Sequence, residues 1–248
     1  MWREGWVAPL PAKVVDLGLR RGWFAWEDLI GRTAKRRWLG GWVSFDLASR
    51  EIARRVISLN DKEPGTVALL YDELRPGDVF CDVGGSVGLY SIPAAQRVGE
   101  SGHVVVFEPR PVGSVILEHA RLNGTSDRVT LIAHGADAQG EYSIDAMVGR
   151  RAIRRPTVVK IDVDGPEMAV LDGMQQLLRS EFRPRIVSVE LNEPERIVDA
   201  MSNLRYRLRE INLSRTGLER RRRHGRRDHT TGNGIFVPYS ETVSNTAA

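Results

Sequence analysis

Two apolar runs in this chain each end in an acid followed closely by glycine, and they restrict its fold more than any other feature. The first is Val79-Phe80-Cys81-Asp82-Val83-Gly84-Gly85-Ser86-Val87-Gly88. The second is Val158-Val159-Lys160-Ile161-Asp162-Val163-Asp164-Gly165-Pro166-Glu167. Between them, Val104-Val105-Val106-Phe107-Glu108 closes a third apolar run on a carboxylate, about twenty residues past Gly88. A buried strand, a glycine turn and a following helix make a nucleotide cradle, and an acid at that distance can take ribose hydroxyls. This is the layout of a nucleoside-cofactor site.

Around these runs, helical and strand patterns alternate from about residue 66. Strands are expected at 79–83, 104–108, 129–133, 158–162 and 186–191. Helices are expected at 66–74, 89–98, 111–122, 167–179 and 194–203. Pro93 inside the second helix requires a kink or a late start. Pro166 falls just inside the start of helix 167–179, where a missing N–H costs nothing. Residues 206–213 and 234–238 read as two strands joined by a polar loop that holds Arg220-Arg221-Arg222-Arg223-His224-Gly225-Arg226-Arg227. Alternating strands and helices imply a parallel, doubly wound sheet, into which the closing hairpin would put one antiparallel strand.

All six tryptophans, Trp2, Trp6, Trp23, Trp26, Trp38 and Trp42, lie in the first 42 residues. With Val14, Leu17, Leu19, Trp26, Leu29 and Ile30 at roughly helical spacing, residues 1–62 read as a helical extension. Residues 63–240 form the main domain, and 241–248 are expected to be a disordered tail. The indoles are expected to pack on the core, with a substrate pocket, a homodimer contact or a peripheral membrane surface as alternatives.

No apolar run approaches the ~18 residues needed to cross a bilayer, and the N-terminus lacks the apolar core of a signal peptide. The single cysteine, Cys81, falls in a core strand, so no disulfide framework is available and a cytoplasmic setting is expected. The net charge of +4 is unevenly spread: residues 1–60 carry 11 Lys/Arg against 6 Asp/Glu, 61–200 carry 15 against 22, and 201–248 carry 10 against 4. Basic ends can attract phosphates, nucleic acid or anionic lipid, though solvated arginines on flexible loops account for them more simply.

A dehydrogenase fingerprint would be Gly-x-Gly-x-x-Gly. This chain has Asp82-x-Gly84-x-x-x-Gly88 instead, with Gly85 as an additional glycine. Acids also follow the later strands. S-adenosylmethionine carries a cationic sulfonium, an amine and a ribose diol but no phosphate. Several carboxylates without a basic phosphate clamp suit it better than a nicotinamide dinucleotide.

On these residues the chain resembles the FkbM family of class I S-adenosylmethionine-dependent methyltransferases. The likeness is carried by Pro76-Gly77-Asp78, the run from Asp82 to Ser91, Val106-Phe107-Glu108-Pro109, and Leu122-Asn123-Gly124. Above all it is carried by Lys160-Ile161-Asp162-Val163-Asp164-Gly165-Pro166-Glu167 with Val170-Leu171-Asp172-Gly173. A looser echo is Asn233-Gly234-Ile235-Phe236-Val237-Pro238. The resemblance implies a Rossmann-like, mostly parallel seven-stranded sheet and O-methylation of a hydroxyl on a sugar, glycolipid or secondary metabolite. The chain departs from the family in having Gly85-Ser86 where Ala-Asn is usual, and Asp164 where Glu is usual.

On this reading Asp82, Gly84, Gly85, Ser86 and Gly88 form the turn beneath the methionine part of S-adenosylmethionine. Glu108 takes the ribose hydroxyls and Asp137 the adenine amine. Asp162 holds the methionine amine, orients the acceptor hydroxyl or acts as base. Glu190 and His229 are the next candidates for the base, and His134 and His224 are also available. Lys160 shares a strand face with Asp162 and could act with it. Glu167, at a helix start, also fits a simple dipole partner. Asp162, Asp164 and Glu190 could converge on a metal, but their spacing does not call for one and none is expected. The expected acceptor is a small molecule or glycan. An RNA methyltransferase using the basic ends, a non-catalytic scaffold of the same fold and a dehydrogenase stand as alternatives.

Overall fold

The computed structural model describes residues 33–38, 41–46, 72–213 and 232–239, together with Ile52, Arg55 and Thr66. The chain divides into two compact units, residues 1–135 and 136–248.

In the first unit, β1 (Thr33–Trp38) and β2 (Gly41–Asp46) pair antiparallel, with Thr33 opposite Asp46 and Trp38 opposite Gly41. This corrects the reading of residues 1–62 as wholly helical. Trp38 and Trp42, four apart, imitate one helix face. The Gly40-Gly41 pair between two short runs is instead a hairpin signal. Val43 and Phe45 are fully buried while Ser44 and Asp46 are half-buried, the period-two alternation of a strand. Ile52, Arg55 and Thr66 are helical as expected. The helical reading of residues 1–32, with Trp2, Trp6, Trp23 and Trp26, lies outside the described residues, as does the tail at 241–248.

Next come β3 (Val79–Val83), α1 (Ser91–Val98), β4 (His103–Phe107), α2 (Val115–Leu122) and β5 (Val129–Ile132). β4 pairs parallel with both β3 and β5. Pro93 sits in the first turn of α1, where backbone N–H groups have no helical partner, so the helix simply begins late, at Ser91. Apolar side chains fill both faces of β3 and β4, as covered parallel strands require. Cys81 is buried and free, its thiol pushed far up by burial and by Asp82.

The second unit contains α3 (Ile144–Gly149), β6 (Val158–Ile161), α4 (Glu167–Asp172), α5 (Gln175–Arg179), β7 (Ile186–Glu190), α6 (Pro194–Asn203), β8 (Tyr206–Leu213) and β9 (Gly232–Pro238). β6 and β7 are parallel, and β9 is antiparallel to both β7 and β8. The single helix expected at 167–179 is two helices. A Cβ on Gly173 would lie 1.9 Å from the Asp137 carbonyl oxygen, and the Asp145 N–H donates to the Gly173 carbonyl at 2.9 Å. The Asp145 carboxylate then accepts the Gln176 and Leu177 N–H groups at 2.8 Å each, capping α5 as a new helix. The short α3, capped by Ser143 Oγ accepting the Ala146 N–H, falls in a stretch the sequence pattern leaves unassigned.

The sheet order is β5-β4-β3-β6-β7-β9-β8, the mostly parallel seven-stranded sheet with a C-terminal antiparallel hairpin of a Rossmann-like class I fold. Among the described residues, no helix is long and apolar enough to cross a membrane.

Candidate active site

Four of the acids singled out by sequence stand at carboxyl ends of parallel strands, the end at which open α/β sheets bind ligands. Asp82 is in the last two residues of β3, Glu108 follows β4, Asp162 follows β6, and Glu190 closes β7.

In the first unit Asp82 is fully buried and its Oδ2 accepts the Ser91 hydroxyl at 2.5 Å. The chain then folds back over β4. The Gly84 and Gly85 N–H groups both donate to the Phe107 carbonyl, at 2.9 and 3.2 Å, and the Gly88 N–H donates to Gly85 at 2.8 Å. Gly84 and Gly88 have φ of 87° and 80°, left-handed backbone that favours glycine. Gly85 is required for another reason: a Cβ there would lie 2.1 Å from Val106 Cγ1, in the buried wall of β4. Gly85→Ala is therefore expected to destabilise the chain by about 1–3 kcal/mol through overpacking, read as an earlier urea or thermal midpoint. An unchanged midpoint would mean that the loop can lift off β4.

Glu108 is 1% exposed and accepts four hydrogen bonds. Its Oε1 takes the Arg110 backbone N–H at 3.0 Å and Arg110 Nε at 2.8 Å. Its Oε2 takes the Ser86 N–H at 2.7 Å and Arg110 Nη2 at 3.0 Å. Burial alone would raise its pKa, but the Arg110 guanidinium and the two backbone donors outweigh it and hold the carboxyl below its usual range. A Cβ on Gly113 would approach Glu108 Cγ to 2.6 Å, so the acid is packed as well as bonded. The sequence reading finds no basic phosphate clamp near these acids. The structure sets Arg110 on Glu108, its charge spent on the carboxylate.

In the second unit Lys160, 1% exposed, donates from Nζ to Asp162 Oδ2 at 2.7 Å. The two form a close ion pair between a buried ammonium and a half-buried carboxylate. Asp162, Asp164 and Glu190 each offer a carboxylate oxygen, and these atoms lie within 4.8 Å of one another. That spacing could hold a hard divalent cation with oxygen ligands. Glu190, half-buried, has its pKa pushed up to about 7, first by desolvation, then by the charges of Asp162 and Glu167. Asn192 Nδ2 donates to its Oε2 at 3.2 Å. Glu167 is 1% exposed and its Oε1 accepts the Val163 and Gly165 N–H groups at 3.2 and 3.1 Å. It thereby pins the turn that carries Asp164, whose φ is 58°.

Asp137 is half-buried, and its N–H donates to the Tyr142 carbonyl at 3.3 Å. A cavity of about 840 Å³ opens beside Asp145, Arg150, Asp172, Gln176 and Arg179, and none of Asp137, Asp162 or Glu190 lines it. His134 is exposed, its Nδ1 2.8 Å from the carbonyl of Gly135. His224 and His229 lie outside the described residues.

Residues 134–210 match the family model described as the methyltransferase FkbM domain. Over that segment the chain resembles the FkbM methyltransferases. It is 27% identical over 187 residues to the hexuronic acid methyltransferase AglP of Haloferax volcanii, covering 64% of this chain and 76% of that one. Among solved structures, the chain is similar to the methyltransferase FkbM of Methylobacillus flagellatus, with a TM-score of 0.47 and 16% identity. That match covers 64% of this chain and 43% of the other. It is also similar to Aeropyrum pernix fibrillarin, with a TM-score of 0.46, 14% identity, and 66% and 67% covered. The chain is an S-adenosylmethionine-dependent methyltransferase.

The segment that matches the FkbM model contains Asp137, Asp162, Asp164, Glu167 and Glu190. Two residues at this site go unassigned in the sequence. Asn192 carries no signal beyond its place two residues after Glu190. Asn233, 2% exposed, lies opposite Glu190 in the antiparallel β7–β9 register. Its signal is the 233–238 echo of the family, which marks a strand without showing which neighbour it joins.

Proposed function

We propose that this chain transfers the methyl group of S-adenosylmethionine to a hydroxyl of a sugar or glycan, with Glu190 as general base. Bound S-adenosylmethionine supplies an electrophilic methyl on a cationic sulfonium. The glycine turn suits it in that Glu108 is a buried acid beside the turn, which would take a ribose diol by exchanging the Arg110 guanidinium for it. Asp82 and Ser91 support that turn from below, and Asp137 is assigned to the adenine amine.

The observation that carries the assignment of the base is the environment of Glu190. A base works best when its pKa is near the working pH, and a value of about 7 meets that condition. Asp162 differs, because its Oδ2 is already engaged by Lys160 Nζ at 2.7 Å, which fits it to orient a hydroxyl or an amine rather than to carry a proton. Among the sequence candidates this favours Glu190 over Asp162 for proton removal. The sugar acceptor is supported by the AglP likeness, since that relative is named for a hexuronic acid.

The test is transfer of a labelled methyl group to a panel of uronic acids, neutral sugars, glycolipids, polyketides and RNA. Label in a sugar hydroxyl supports the reading; label only in RNA, or in no acceptor, overturns it. Donor binding has its own test. S-adenosylhomocysteine at 100 times its Kd is expected to stabilise the chain by about 2.7 kcal/mol, seen as a raised Tm. No shift at millimolar ligand would leave a scaffold in place of an enzyme.

A further inference from the structure

We propose that His119, on α2, is a positioning residue for the methyl-donor site, acting through the Val87 carbonyl of the glycine turn. His119 is fully buried in the first unit, with Nδ1 2.8 Å from the Val87 carbonyl oxygen and Nε2 3.3 Å from the Asp46 carbonyl oxygen. Phe45 meets the imidazole edge-on at 5.3 Å. Both ring nitrogens thus face acceptors, whereas a neutral imidazole has one N–H to give. Burial lowers the pKa of His119, against the pull of the two carbonyls and of Asp46 and Glu118, so the ring is neutral at physiological pH. Its proton belongs on the shorter contact, Nδ1–H to Val87.

That bond has a particular place in the turn. Val87 stands between Ser86, whose N–H donates to Glu108, and Gly88, whose left-handed φ of 80° starts the approach to α1. Between these two fixed neighbours, the carbonyl of Val87 meets His119 Nδ1. The hairpin does not need the same bond. Asn123 grips the Ser44 backbone twice, accepting its N–H at 2.8 Å and donating to its carbonyl at 2.7 Å. The hairpin is therefore fastened to α2 without His119, and the bond to Val87 is left to the glycine turn.

The inference rests on the reading that residues 84–88 cradle S-adenosylmethionine, and amide isosteres separate the two. The δ-nitrogen of Asn overlays His Nδ1, and the ε-nitrogen of Gln overlays His Nε2. His119→Asn thus restores the donor to Val87 alone, and His119→Gln the one towards Asp46 alone. We expect H119N to keep the Kd for S-adenosylhomocysteine within about twofold. H119Q and H119A should raise it roughly 3- to 10-fold, the loss of one hydrogen bond, with the acceptor KM unchanged. Equal affinities in H119N and H119Q overturn the proposal whatever their Tm values, because a purely structural histidine would not distinguish the two nitrogens. If the unsubstituted chain fails to bind S-adenosylhomocysteine, it is the donor-site reading that falls.

Discussion

Glu190→Gln is expected to lower kcat roughly 100- to 10,000-fold, the usual contribution of a general base. The substitution keeps the shape of the side chain and the contact with Asn192, and removes the ability to take a proton. Donor affinity should change less than about twofold, because the residues assigned to the donor's ribose are others. The wild-type profile of kcat/KM should rise with pH through about 7 as Glu190 ionises, and E190Q should lose that limb. Stability runs the other way. A carboxyl with its folded pKa raised from 4.5 to about 7 is favoured when protonated, so its contribution is complete below the unfolded value. It is lost as pH rises towards 7, because the unfolded chain releases its proton first. E190Q should flatten this fall in Tm between pH 4.5 and 7. A variant with kcat within about tenfold of wild type would remove Glu190 from proton transfer and return Asp162 to first place.

Which features are legible in the chain depends on whether the information is local. The strand ends are legible because a parallel strand buried on both faces has to be apolar, and its ligand-facing end is where acids appear. The sequence alone therefore puts Asp82, Glu108, Asp162 and Glu190 at strand ends. Pro93 narrows the helix to a kink or a late start because its constraint is its own backbone, and α1 takes the late start. The break at Gly173 is not legible: it comes from the Asp137 carbonyl, far earlier in the chain, and from the Asp145 cap. Hairpin 33–46 is hidden by the four-residue spacing of Trp38 and Trp42, which outweighs the Gly40-Gly41 signal. The burial of His119 and the two-handed grip of Asn123 on Ser44 both depend on that hairpin, so missing it also hides them. Arg110 is visible as a residue, but its bidentate return onto Glu108 depends on the 3₁₀ turn at Pro111–Ser114, which no local pattern announces.

Glu108→Gln is expected to weaken S-adenosylhomocysteine binding roughly 10- to 150-fold, the equivalent of about 1.5–3 kcal/mol for a hydrogen bond to a charged group. The neutral amide accepts through one oxygen only and turns an N–H₂ towards donors already in place. It would face the Ser86 N–H on one side or the Arg110 guanidinium on the other, and one of them would lose its acceptor. The effect should appear in donor Kd and KM, while kcat at saturating donor falls much less, because the diol is held alike before and during transfer. The folded carboxyl is depressed below its usual value, so its contribution to stability is present above the unfolded pKa and lost as pH falls through the folded one. E108Q should accordingly lose part of the acid-induced decline in Tm. An unchanged donor Kd, measured by calorimetry on folded E108Q, would show that the four bonds around Glu108 serve the turn alone, and the ribose would have to be sought elsewhere.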